Sequence, residues 1–102
     1  MLLVTTTTGD RDSAERIATE LVDRRLAACV QIGGPVTSTY RWQGKIETTE
    51  EWVCAAKTRE ECFGDIDRLM AEIHPYDTPE LIATPITHAS DAYRAWLESE
   101  IE

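Results

Sequence analysis

Two strand-like runs meet at Gln43-Gly44, and the hairpin they make limits the fold more than any other feature of the chain. The runs extend from about Cys29 to about Thr58. Drawn out as one strand at about 3.3 Å per residue, residues 29–42 would reach roughly 46 Å. A 102-residue domain has a radius of gyration of about 13 Å and hence a diameter of about 33 Å. Part of the hairpin must therefore leave the globule. A bare two-stranded ribbon is marginal in water and presents unpaired edges, so the feature predicts an oligomer in which another copy receives it.

A two-residue loop at Gln43-Gly44 sets the register of the ribbon. Trp42 then lies opposite Lys45, Tyr40 opposite Glu47, Ser38 opposite Thr49 and Val36 opposite Glu51, all on one side. On the first strand Gly33-Gly34-Pro35 interrupts the pairing and marks a bulge or bend. The long strand is thus two segments meeting at an angle, and the fully extended length is an upper bound. Residues 36–53 form the arm that projects.

The remaining elements follow from periodicity and capping. Residues 2–8 are apolar and β-branched and stop at Gly9-Asp10, a strand and its turn. Ala14, Ile17, Ala18, Leu21 and Val22 repeat at helical spacing, with Asp10, Asp12 or Ser13 available as the cap. Thr58-Arg-Glu-Glu61 has the form of a capping box and predicts that the hairpin passes directly into a second helix, whose stripe is Phe63, Ile66, Leu69, Met70 and Ile73. Pro75 stops that helix, and Pro79 opens a strand over residues 81–85. Ser90 caps a last helix with Tyr93, Trp96, Leu97 and Ile101 on one side. The order βαββαβ with an added C-terminal helix predicts an α+β, ferredoxin-like sandwich, an antiparallel sheet with helices on one face, forming a single domain over residues 1–102.

Composition narrows the class of partner. Nineteen acidic residues against ten basic ones leave a net charge of −9, which repels a phosphate backbone or an anionic membrane surface and favours cations. The same charge serves as a solubility coat. No apolar stretch approaches the roughly 20 residues a membrane span needs, and Met1-Leu-Leu-Val4 lacks the basic flank and length of a signal peptide. A cytoplasmic protein is expected. Cys29, Cys54 and Cys62 are odd in number, and no two have zinc or redox spacing, so reduced thiols are expected.

Leu26-Ala-Ala-Cys-Val30, Tyr40-Arg-Trp-Gln-Gly-Lys-Ile46, Lys57-Thr-Arg59 and His74-Pro-Tyr-Asp-Thr-Pro-Glu80, in this order and spacing, resemble the CutA family of divalent-cation tolerance proteins. Pro85-Ile86 and the helix carrying Tyr93 and Trp96 extend the resemblance over essentially the whole chain. It implies a homotrimer in which the hairpin packs onto a neighbour, a role in copper and divalent-metal tolerance, and metal binding without catalysis. Some members carry a cysteine near the end of the first strand and a His-His pair before the Pro-Tyr motif. Here Thr6 stands at about that strand position and Ile73-His74 replaces the pair. A hydroxyl is a poor copper ligand, so any copper or other divalent ion is expected to bind weakly, and no cofactor is required.

The candidate metal residues are His74, Cys29 and Glu80. His74 equally suits capping its helix or bonding a backbone carbonyl, and Cys29, among small apolar neighbours, equally suits core packing. His88 is a loop histidine before the last helix, and Cys54 and Cys62 read as packing. Tyr40, Trp42, Glu47, Glu51, Lys57 and Tyr76, together with Glu80, form a second set that a trimer would bring to a cleft between subunits. Such a cleft suits a small ligand or a cation, and the same residues also suit plain assembly contacts. No Gly-x-Ser-x-Gly elbow, phosphate-cradling glycine loop or His-Glu-x-x-His occurs, and the chain is read as no enzyme. Beside metal tolerance stand two other functions: a trimeric sensor similar to the PII signalling proteins that binds a metabolite in its clefts, and a trimeric scaffold for a protein partner.

Overall fold

A computed structural model describes residues 1–101. Its order is β1 (Leu2–Thr8), α1 (Arg11–Asp23), β2 (Cys29–Trp42), β3 (Lys45–Thr58), a 3-10 turn (Glu60–Cys62), α2 (Phe63–Ile73), β4 (Ile82–Pro85) and α3 (Asp91–Glu100). The strands form one sheet in the order β2-β3-β1-β4, with each neighbouring pair antiparallel. This is the ferredoxin-like arrangement with the extra C-terminal helix.

The faces of the sheet are distinct. Thr6 of β1 lies directly across from Cys54 of β3, the Cys54 thiol reaches the Ala14 carbonyl of α1 at 3.5 Å, and His74 at the end of α2 meets Thr6. Helices α1 and α2 therefore cover the face of Val4, Thr6, Thr8, Cys54, Ala56 and Thr58, all buried. Ile17, Leu21, Ile66, Leu69 and Met70 fill the space between them. The opposite face carries Leu3, Thr5, Thr7, Val53, Ala55 and Lys57, all half-buried. A sheet with one face covered in this way shows the alternation of burial seen along β1 and the inner half of β3.

The hairpin has the predicted register throughout its outer half, from Trp42 opposite Lys45 to Val36 opposite Glu51. Gln43 and Gly44 both have positive φ, 50° and 79°, as a two-residue hairpin turn requires. The pairing shifts between Gly33 and Val36. Gly34, at φ 144°, is the one residue type that fits there: a Cβ would stand 3.0 Å from the Glu51 carbonyl oxygen and 3.1 Å from Trp52 Cδ1.

Four expectations are corrected. The Thr58-x-x-Glu61 capping box does not form, because the Thr58 hydroxyl donates to the Leu26 carbonyl at 2.6 Å. The chain enters α2 through the 3-10 turn instead, with no side-chain cap. The last strand begins at Ile82, one residue later than expected. Of the stripe assigned to α3, Leu97 and Ile101 are buried, but Tyr93 and Trp96 are 38% and 43% exposed. Val22, placed in the stripe of α1, is also exposed. Helical spacing identifies a face but not how far the partner surface extends beneath it.

Candidate functional site

The densest polar cluster lies where α2 ends. Pro75 stops the helix, and His74 leaves helical geometry at ψ 135°. The Tyr76 backbone N–H then donates back to His74 Nδ1 at 3.1 Å. A ring nitrogen that accepts carries no proton, so the imidazole hydrogen is on Nε2. Nε2 stands 3.0 Å from the Thr7 carbonyl oxygen and 3.1 Å from Thr6 Oγ1. Burial holds His74 below the ordinary imidazole range, against the opposing pull of the Thr7 bond and the Glu51 carboxylate.

Tyr76 carries the cluster round the end of β1 to the arm. Its hydroxyl donates to Glu51 Oε2 at 2.9 Å, and Glu51, at 8% exposure, is the one acidic side chain buried among the described residues. Burial first, then the bond to Glu51 and the nearby charges of Glu51 and Asp10, pushes the Tyr76 hydroxyl up to about 12. Gly9 makes room for it: a Cβ there would stand 3.1 Å from the Tyr76 oxygen. Thr7, His74, Tyr76 and Glu51 thus form a continuous chain of hydrogen bonds from β1 to the root of the arm.

Of the six residues expected at a cleft, Glu51 and Tyr76 come together at this root, while Tyr40, further out along the arm opposite Glu47, accepts from Thr49 Oγ1 at 3.4 Å. Glu47 pairs with Tyr40, and Trp42 lies at the tip, 52% exposed. Lys57 is elsewhere. It shares a strand face with Glu51 but stands six residues further along β3, roughly 20 Å away, where its ammonium donates to Gln31 Oε1 at 2.7 Å and lies 5.9 Å from the Tyr93 ring centroid.

The metal candidates are not gathered within one subunit. Cys29 pairs with Lys57 and so faces away from α1 and α2, while His74 bonds Thr6 beneath them. Glu80 is exposed on the loop after Tyr76. Among the described residues no three of His, Cys, Asp and Glu stand close enough to hold a metal ion. His74 also spends both nitrogens on the fold, which is the carbonyl-bonding alternative open to it from the sequence. Cys54 and Cys62 are buried, and burial pushes the Cys54 thiol up to about 11, the behaviour of a packing residue. Among the described residues His88 bonds its neighbour Thr87. Thr6, Thr7 and Gly9 were missed as site residues, apart from Thr6 as a substituted ligand position. The one available signal was Gly9 itself, a glycine directly after a strand.

The chain matches the family described as CutA1 divalent ion tolerance protein over residues 2–100. It is 38% identical over 95 residues to the divalent-cation tolerance protein CutA of Thermus thermophilus, covering 93% of this chain and 92% of that one. The chloroplastic protein CutA of Arabidopsis thaliana is 36% identical over 98 residues, but this chain spans only 54% of its length. Among solved structures, the divalent cation tolerance protein of Thermus thermophilus superposes with a TM-score of 0.96 at 36% identity, over the whole of both chains. The protein from Archaeoglobus fulgidus described as a periplasmic divalent cation tolerance protein superposes at 0.95 and 35% identity, again over the whole of both.

Proposed function

The chain belongs to the CutA1 divalent ion tolerance family, and we propose that it acts in divalent-cation tolerance as a cytoplasmic homotrimer that holds copper or another divalent ion weakly and performs no catalysis. The arm carries this proposal. Trp42 and Ile46, 52% and 70% exposed, project from opposite faces of the ribbon, because Trp42 pairs with Lys45 while Ile46 pairs with Arg41. A ribbon apolar on both faces is stable when neighbours cover both. Docking would carry the carboxylates of Glu47 and Glu51 into clefts between subunits.

Weak binding follows from the state of His74. An ion reaching its Nδ1 has to displace the Tyr76 amide, and Nε2 is engaged by Thr7 and Thr6. Glu80, exposed on the loop that follows His74, is the carboxylate assigned to the ion with it. Calorimetry with copper on the wild type and on His74→Ala tests the assignment: binding lost in the variant supports it, and equal or absent binding in both removes His74 from the account.

A second reading has an observation of its own. At the arm's root the buried Glu51 accepts from the exposed Tyr76, an acid-aromatic arrangement that suits an organic ligand as well as an ion, as in a PII-like metabolite sensor. A thermal-shift screen separates the two, since a ligand that binds the native state raises its melting temperature. Stabilisation by a metabolite with none by metals favours the sensor. If neither stabilises and a protein is captured from native lysate, the trimer is a scaffold.

A further inference from the structure

We infer that the sheet face opposite α1 and α2 holds a second binding site, built on Lys57 and Gln31 of the sheet and on Tyr93 and Trp96 of α3, for a small aromatic anion whose carboxylate or phosphate meets the ammonium and whose ring lies against the aromatic pair. In a chain with 19 acidic residues and ten basic ones, the half-buried Lys57 has no carboxylate partner among the described residues. Its contacts are the Gln31 side-chain oxygen at 2.7 Å and the face of Tyr93 at 5.9 Å. An ammonium carries three donors, so two remain for a ligand. The contacts hold the group in place without neutralising it.

The aromatic half is equally distinct. Tyr93 and Trp96 lie one helical turn apart on α3, with ring centroids 5.6 Å apart and planes at 39°, and both are substantially exposed although a core face of α3 exists in Leu97. A planar ring stacks on such a pair regardless of its identity. Arg59 stands two residues beyond Lys57 on extended backbone, so it shares that side of the chain. Its Nε is buried without a hydrogen-bond partner, and its nearest carboxylate, Glu61, is 4.0 Å away and exposed. One cation with no carboxylate partner among the described residues and a second paired only at 4.0 Å, beside an exposed aromatic pair, describe a receptor for an anion with a flat face. The site lies roughly 20 Å along β3 from Glu51 and is independent of the cation reading above.

Titration calorimetry on the full chain tests the site with adenosine 5′-monophosphate and 4-hydroxybenzoate as aromatic anions, and adenosine and inorganic phosphate as their separated halves. At least one aromatic anion is expected to bind saturably at millimolar concentration or below. The tighter of the two identifies phosphate or carboxylate as the preferred head. Lys57→Met and, separately, Trp96→Ala should each weaken that binding by about tenfold or more, the loss expected for one charge-assisted hydrogen bond or one stacked ring. Adenosine and phosphate alone should bind at least as much more weakly. Both variant side chains are at least partly exposed, and circular dichroism with sedimentation checks that fold and assembly persist; if Lys57→Met fails that check, Lys57→Gln replaces it. No saturable binding of either anion, unchanged binding in both variants, or phosphate binding as tightly as the nucleotide would each overturn the assignment.

Discussion

His74 shows how one side chain can be singled out correctly by sequence while its chemistry is set from elsewhere. Its position after α2 and before Pro75 marks it as special, but Thr6 and Thr7, its partners, are 68 and 67 residues away, and no local pattern reaches that far. Because the Tyr76 amide occupies Nδ1, protonation there removes a hydrogen bond, and burial lowers the folded value below the unfolded one of about 6.5. The unfolded chain then binds more protons than the native one, so this contribution to stability is complete above about pH 6.5 and is lost as the pH falls through the folded value. Urea midpoints measured at about pH 7 and about pH 5 should fall for the wild type and change less for His74→Gln; equal slopes in both would show that His74 does not titrate with folding. The neighbouring prediction concerns Tyr76. Tyr76→Phe leaves the buried Glu51 carboxylate without the 2.9 Å bond from the hydroxyl, and a loss of about 1–3 kcal/mol in unfolding free energy is expected by denaturant titration.

At the scale of elements, the legible features were those whose cause is local. The Gln43-Gly44 turn, the Gly33-Gly34-Pro35 break and the Ser90 cap depend on residues a few positions apart and are legible in the sequence, and of the three caps it offers the first helix the structure uses Asp10: Asp10 accepts from the Ser13 amide at 2.7 Å and Ser90 from the Tyr93 amide at 3.2 Å. The capping box failed because a tertiary acceptor, the Leu26 carbonyl, took the Thr58 hydroxyl first. That carbonyl belongs to the turn after α1. There the Leu26 amide bonds the Leu21 carbonyl and the Arg25 amide bonds that of Val22, with Arg25 at φ 57°. This is the Schellman arrangement, in which the left-handed position favours glycine. Arg25→Gly should therefore stabilise the protein by about 1 kcal/mol, seen as a higher melting temperature. No change, or a decrease, would mean that the arginine makes contacts that offset its backbone strain.

The shape of the whole molecule returns to the hairpin. The radius of gyration is 14.2 Å and the extents are 45 × 26 × 21 Å, so the long axis is close to the length argued from strand geometry and exceeds the compact expectation of about 33 Å. The fold and the arm are thus both legible in the chain, whereas the cleft set is an expectation about neighbouring subunits: within one subunit Lys57 and Glu51 stand six residues apart on β3, roughly 20 Å. In the proposed trimer the arm's tip is where affinity between subunits should concentrate, because a large, exposed aromatic at the centre of a docked surface contributes more than its charged surroundings. Trp42 is that residue. It sits at the end of the ribbon, far from the His74 cluster and from Lys57, so Trp42→Ala should leave the monomer's fold intact and weaken assembly before it alters any ion binding. Sedimentation velocity over a dilution series into the low micromolar range should show the variant dissociating where the wild type remains assembled. A variant that stays trimeric across the series would place the assembly energy elsewhere on the arm, with Ile46 on the opposite face as the next residue to truncate.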